Sequence, residues 1–446
     1  MDRLLSYVVR CVVWFSALMK PLSRLGLCHY EEWKEGERLK ILLVGYNGAR
    51  NTGADARVVA LTQQLEEALG AGETELTVMT LDTDKVRGYF SENVRLYRFT
   101  TLFFFSLLRA LSRSHVAVLC EGSTLTRTFA DALCVFYCEA AGIMKRQHKP
   151  CIAYGSEVGH VDGWLARLSC DMMSDTYFMV RTEASLKNLR SLGLQGHVGT
   201  DTAWTFQTPE GAAWAHRRLV SDGWDGQKPL LGVAVVNPFC WPVRPSLWRW
   251  LAATVTGDHT QQYDKMYFFS DSHERRHKYR QYLEGLADAA NRYQREYDAY
   301  IVILGMEQLD TKACCDFEQM LDGPHAVYTS LTCDVFQMTG LLRLMSVLIT
   351  SRYHAAVLSM EHCTPIVAVT FDARLEGVVS ECELDGDFLH RVDDDALSKR
   401  IMLSLNKAEE HRGDISDLID KHLYIYKDKT RQMAQFFTAW LKKHFS

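Results

Sequence analysis

The chain reads as an α/β protein made of two doubly wound, Rossmann-like parallel-sheet domains facing a central cleft. Three observations lead there. Short continuous apolar runs alternate with helical stretches along nearly the whole chain, as strands buried on both faces between covering helices do. The alternation stops in a polar, Gly-rich stretch at residues 208–228 and then restarts. A length of 446 residues also exceeds what one hydrophobic core ordinarily serves. The expected organisation is an apolar or amphipathic N-terminal segment over residues 1–39, a first domain over 40–215 and a second over 228–446.

Taken in order, residues 4–19 (LLSYVVRCVVWFSALM) are apolar but interrupted by Arg10. They fall short of the roughly 18–20 clean residues of a spanning helix, and no small-residue cleavage site follows. Two arrangements fit. The segment is a helix packed on its own protein or on a second subunit, or it makes a peripheral membrane contact. In the second case Arg3, Arg10, Lys20 and Arg24 lie near headgroups, with Trp14 and Phe15 in the acyl boundary. KILLVG (40–45) is a strand entering a Gly/Asn loop, and residues 55–69 have helical period. The apolar run 102–111 is expected between sheet and helix. HVAVLC (115–120), PCIAYG (150–155) and TYFMVR (176–181) are further buried strands, and residues 184–192 form a helix closed by Gly193.

In the second half, LLGVAVV (230–236), MYFFS (266–270), AYIVILG (299–305), SVLITS (346–351) and IVAVTF (366–371) read as strands. Residues 273–298 form a charged helix whose Arg and Lys side chains make a solvated face. The chain closes with an amphipathic helix carrying Met433, Phe436, Phe437 and Trp440 on one stripe.

Composition narrows the function. At 47% apolar and 24% charged the chain is globular, and a formal charge of −5 gives no reason to expect a nucleic-acid partner. Thirteen cysteines without CxxC spacing, many inside apolar runs, read as reduced buried thiols of a cytoplasmic protein. Zinc-ligand spacings are absent, and no metal or other cofactor is expected.

The densest chemistry lies in VLITSRYHAAVLSMEHCTPIVAVTFDARLEGVV (347–379). One strand delivers Arg352, Tyr353 and His354 at its carboxyl end. The next ends in Phe371, Asp372, Ala373 and Arg374. Carboxyl ends of strands are where open α/β sheets bind ligands, and guanidinium groups there suit a small anion carrying phosphate or carboxylate.

Four stretches resemble the polysaccharide pyruvyl transferases, over residues 40–384. They are ILLVGYNGARNTGADA, AVLCEGSTL, FMVRTEASLKNLRSLGL with VGTDTAWTF, and the segment just described with its Arg-x-His and PIVAVTFDAR. The resemblance implies a GT-B-like fold and an enzyme that moves the enolpyruvyl group of phosphoenolpyruvate onto a sugar as a cyclic ketal, releasing phosphate. Phosphoenolpyruvate is then a co-substrate and the acceptor a glycan or lipid-linked sugar; the protein is expected in the cytoplasm, either free or at the cytoplasmic face of the membrane.

Arg352, Arg374 and Arg181 are the expected anion ligands, and His354 the proton donor to carbon 3, with Arg352 beside it. Neighbouring arginines lower the His354 pKa, whereas bound phosphate raises it. Asn51, Gly53 and Ser185 lie in the resembling motifs, and Glu121 and His160 are candidates for contact with the acceptor. The first loop departs from the family pattern: Gly53-Ala54-Asp55 moves the carboxylate by one residue, about 100° of helix rotation. The rival readings are a GT-B glycosyltransferase using a nucleotide sugar, and an inactive family member acting as a binding protein.

Overall fold

The continuous apolar runs become the central strands of two parallel sheets. The computed structural model describes every residue except 1, 71, 100–102, 257–261, 265–266 and 446. The first half contributes β1 (Leu39–Val44), β2 (Thr74–Thr80), β3 (Arg95–Arg98), β4 (Val116–Leu119), β5 (Cys151–Ser156), β6 (Thr176–Val180) and β7 (Gln195–Val198). They form one seven-stranded sheet in the order β3-β2-β1-β4-β5-β6-β7.

The second half opens with β8 (Leu230–Ala234) and a small antiparallel sheet of β9 (Arg244–Pro245), β10 (Gln262–Asp264) and β11 (Tyr267–Phe268). It continues with β12 (Tyr300–Gly305), β13 (His325–Thr329), β14 (Val347–Thr350), β15 (Ile366–Thr370) and β16 (Leu389–Arg391). Its main sheet is six-stranded, β13-β12-β8-β14-β15-β16. Every neighbouring pair in the two large sheets is parallel.

One expectation changes here. The strand expected at 266–270 is not part of the large sheet. Tyr267 and Phe268 pair antiparallel with Pro245 and Arg244, and Met266 lies outside the described residues. An apolar run shows that a segment is buried, not which sheet it joins. The polar stretch at 208–228 contains a helix, Gly211–Ser221, packed on the helix Val335–Leu344 of the second lobe. Their backbones meet so closely that a Cβ on Gly340 would collide with Gly211. The charged helix His273–Tyr297 buries one stripe, including Tyr282, Leu286 and Tyr293, and solvates the rest with i,i+4 ion pairs such as Arg280–Glu284.

The C-terminal helix Arg412–His444 ties the lobes together. Its first half packs Ile415, Ile419, Leu423 and Tyr426 into the second lobe's core, and its second half sends Met433, Phe437 and Leu441 into the first lobe's core. Tyr426 stacks on Trp204 at 4.1 Å between ring centroids. The helix Phe103–Ser112 buries Leu107, Leu108 and Leu111 in the first lobe; Leu102 lies outside the described residues. At the other end of the chain, the helix Asp2–Ser16 lays Val9, Val12 and Val13 into the first lobe's core. No helix among the described residues is long and apolar enough to cross a membrane.

Candidate active site

In each sheet the strand order reverses beside its first strand, between β1 and β4 in one and between β8 and β14 in the other. Such switch points leave a crevice at the carboxyl ends of the strands. The two crevices face each other. The loop after β1 meets the loop after β12: Asn51 bridges Glu307, and the Thr52 N–H donates to Met306 O at 2.9 Å.

A cavity of about 110 Å³ lies at this seam, lined among others by Asn51, Gly53, Glu121, Arg352, His354 and Arg374. A larger one of about 690 Å³ lies beside it, and the two share Phe129, Tyr353, Phe371, Asp372 and Arg374. His160, Arg181, Ser185 and Trp204 line the larger one.

His354 sits in the first turn of the helix Tyr353–Ser359, directly after β14. Its Nε2 points at Asp201, 3.5 Å from Oδ2, an ion-pair distance rather than a good hydrogen bond. Its other side lies against Gly53, where a Cβ would collide with Nδ1 and Cγ of the ring. The missing side chain at Gly53 is therefore what lets the imidazole reach the N-terminal lobe. Burial pushes the His354 pKa below its ordinary 6.5; Asp201 opposes this, while Arg57 and Arg181 reinforce it.

Asp201 is the hub beneath the histidine. Fully buried, it accepts from Arg57 Nε at 3.1 Å and Arg181 Nη1 at 2.7 Å. Burial alone would raise its pKa, but Arg57, His354 and Arg181 together hold it well below the carboxylate range. Arg57 also donates to the carbonyls of Tyr154 and Gly155, and Arg181 to that of Gly122. Arg181 is thus committed to the protein, with its guanidinium over the Tyr353 ring at 5.1 Å.

Arg352 and Arg374 face the smaller cavity with partners already in place. Arg352 forms a two-bond pair with Asp310, through Nε at 3.0 Å and Nη2, and its Nη2 lies 3.3 Å from Glu307. Arg352 Nη1 takes no partner among the described residues. Arg374 Nη2 donates to Asp372 at 2.6 Å, Nε lies 3.5 Å from Glu157, and Nη1 reaches only a 3.4 Å contact with the Ser123 hydroxyl. Its guanidinium also lies over Phe129. For both arginines burial alone would lower the pKa; Asp310 and Glu307 for one, Asp372 and Glu157 for the other, raise it.

The remaining expected residues fall around these. Asn51 caps the helix Thr52–Leu69, its side chain accepting from Ala54 N–H at 3.1 Å. Thr52 and Ala54 N–H are thereby used, while the Gly53 N–H has no such partner among the described residues. Glu121 folds back on its own turn, accepting from Gly122 N–H at 2.8 Å and from Tyr46 N–H at 3.3 Å. Ser185 accepts from Val158 N–H at 3.1 Å and is buried, whereas His160 is exposed at the rim of the larger cavity. Asp55 turns away from the cavities, accepting from Gly48 N–H at 3.2 Å.

Sequence reasoning missed Arg57, Asp201, Glu157, Glu307 and Asp310. Asp201 had a signal, since it stands in VGTDTAWTF directly after a strand. Arg57 had a weaker one, a lone cation in a helix that is apolar on the flanking positions. Among the described residues, no group of three or more His, Cys, Asp or Glu is arranged to hold a metal ion.

The model for the polysaccharide pyruvyl transferase family matches residues 51–372, from the Asn51 cap to Asp372 beside the cavity. The chain belongs to that family. It is therefore grouped with transferases of polysaccharide biosynthesis. No match was found among the curated proteins.

Solved structures of similar fold include the UDP-GlcNAc 2-epimerase from Neisseria meningitidis bound to UDP-GlcNAc, at 9% identity and a TM-score of 0.57, covering 91% of this chain and 100% of that one. HepE from Anabaena, in complex with UDP-glucose, is 11% identical with a TM-score of 0.55, again covering 91% and 100%. The UDP-GlcNAc 2-epimerase from Methanocaldococcus jannaschii is 11% identical with a TM-score of 0.51, covering 83% and 92%. At these identities the likeness is one of fold. This pyruvyl transferase family member has two parallel-sheet α/β domains in the GT-B-like arrangement.

Proposed function

We propose that this chain transfers the pyruvyl group of phosphoenolpyruvate, as a ketal, to a sugar of a glycan or lipid-linked precursor at the cytoplasmic face of a membrane. The observation that carries this reading is the position of His354. It is wedged between Gly53 and Asp201, in a cavity whose walls include Arg352 and Arg374. The smaller cavity suits a compact donor and the larger a sugar, with Arg374 and Tyr353 on the wall between them.

In this mechanism the negative charge of Asp201 orients His354 from the Nε2 side, and Nδ1, on the Gly53 side of the ring at the cavity wall, is the nitrogen that serves the donor. Arg374 and the free Nη1 edge of Arg352 take phosphate and carboxylate oxygens, with the Gly53 N–H at the start of its helix adding a neutral donor. Protonated Nδ1 gives its proton to carbon 3, making a methyl group and leaving carbon 2 electrophilic. A sugar hydroxyl adds to carbon 2 and returns its proton to His354. A second hydroxyl then displaces phosphate, which departs with that hydroxyl's proton, and the ketal ring closes.

Charge sets a condition on this chemistry. Three carboxylates, Glu121, Glu307 and Asp372, line the smaller cavity against two guanidiniums, Arg352 and Arg374. A trianion entering such a site draws in a proton, and His354 is the group placed to take it. Donor binding and imidazole protonation are therefore one event.

The similar folds that hold UDP-GlcNAc or UDP-glucose keep a nucleotide-sugar reading in view. Thermal shift separates the two, because a ligand that binds the native state raises the melting temperature. Phosphoenolpyruvate is expected to stabilise the protein where UDP-GlcNAc and UDP-glucose do not; the reverse order contradicts the proposal. Arg374→Ala is expected to raise the donor dissociation constant about tenfold or more, the worth of one charge-assisted bond.

A further inference from the structure

The N-terminal helix Asp2–Ser16 is apolar on two opposite faces, and only one of them is covered. Val9, Val12, Val13 and Ser16 are buried, packing toward the helix Asp131–Arg146, where Val13 touches Gly142. Half a turn away, at helical spacing, stand Tyr7, Cys11, Trp14 and, just past the helix, Leu18. Tyr7 is 67% exposed and Trp14 65%. The neighbouring helix Phe103–Ser112 adds Phe105, and the turn after Met19–Arg24 adds Leu25 and Leu27, each 71% exposed. Scattered single apolar residues need no explanation, but an uncovered stripe along one helix face does.

Charge indicates what covers it. In a chain of formal charge −5, residues 3–30 contain Arg3, Arg10, Lys20 and Arg24 and no Asp or Glu. Residues 93–120, which include the Phe105 helix, contain four arginines and again no acid. Arg10 is paired with Asp171 and Lys20 with Glu32, whereas Arg24 and Arg109 are exposed with no ion pair among the described residues. A second copy of this face would set like charges against each other. An anionic bilayer surface complements them, and tryptophan, tyrosine and basic residues are what such an interface selects. The helix, about 22 Å long at 1.5 Å per residue, suits a position in the membrane plane.

We propose that this face docks on an anionic lipid surface, with Tyr7, Trp14 and Leu18 in the acyl boundary and Arg24 and Arg109 at the phosphates. The proposal stands independently of the chemistry in the cleft.

Co-sedimentation of the full chain with vesicles tests it. Wild type is expected to pellet with phosphatidylglycerol–phosphatidylcholine vesicles and to stay largely in the supernatant with phosphatidylcholine alone. Tyr7→Glu/Trp14→Glu, at two exposed positions, is expected to abolish pelleting while circular dichroism stays native. Arg24→Glu, at an exposed position, is expected to weaken partitioning about fivefold or more, the worth of a basic residue at an anionic surface. Three results would overturn the proposal. One is a wild type that ignores both vesicles, and another is pelleting unchanged in both variants. The third is a dimer in sedimentation velocity that Trp14→Glu dissociates while vesicles bind nothing.

Discussion

His354 is held by two residues that carry different information. Asp201 supplies a negative charge at 3.5 Å, and Gly53 supplies room. Gly53→Ala therefore pushes the ring out of place without touching a charge. A kcat loss of about 10²-fold is expected, the lower range for a displaced acid–base group, with melting temperature little changed. Because burial and the two arginines lower the histidine pKa in the free protein, kcat/KM is expected to fall with rising pH from below about 6.5, its ordinary value. In the donor complex phosphate raises that pKa, so the basic limb of kcat is expected at higher pH than that of kcat/KM. Coincident limbs would contradict the proton-donor role. That His354, Arg352 and Arg374 come together at one cavity was legible in the sequence, because the strand ends of open α/β sheets converge there. The paired state of the arginines was not. Asp310 lies 42 residues from Arg352, and Asp201 lies 144 from Arg57, so only the folded chain reveals that these charges are matched.

Among the elements, the helix Thr52–Leu69 carries a cost that the sequence only hinted at. The shifted carboxylate of Asp55 is buried, and burial raises its pKa from 3.8 to about 7, against the Gly48 N–H and Arg50. With the folded pKa raised, its stabilising contribution is complete below about pH 4 and is lost as pH rises through 7. Asp55→Asn keeps an acceptor for Gly48 and removes the ionisation. Relative to wild type it is expected to gain up to about 4 kcal/mol at pH 8 and close to nothing at pH 4, read from urea unfolding. A gain that is equal at both pH values would contradict this. The central strands β1, β4, β5, β8, β12, β14 and β15 announce themselves as apolar runs. The edge strands β3, β7 and β16, only RLYR, QGHV and LHR, are short and partly solvated, and owe their conformation to the neighbour they pair with. The start of the helix at Thr52 follows from the Asn51 cap, a signal that periodicity alone places three residues late.

For the whole molecule, two sheets present their switch points to one seam, and the 33-residue helix Arg412–His444 crosses between the lobes to hold them there. The two-domain α/β class followed from strand–helix alternation and its restart, while the crossing of the last helix did not, since its stripe fits any apolar surface. What the seam presents to a ligand is above all charge. On the proposed reading, a seam lined by more carboxylates than guanidiniums takes up a proton with the trianion, and His354 is the group that receives it. Isothermal titration of phosphoenolpyruvate in buffers of different ionisation enthalpy measures that proton directly. Near neutral pH, wild type is expected to bind with uptake of close to one proton, and His354→Gln to bind more weakly with uptake abolished. Binding without proton uptake, or uptake that survives in His354→Gln, would contradict the claim.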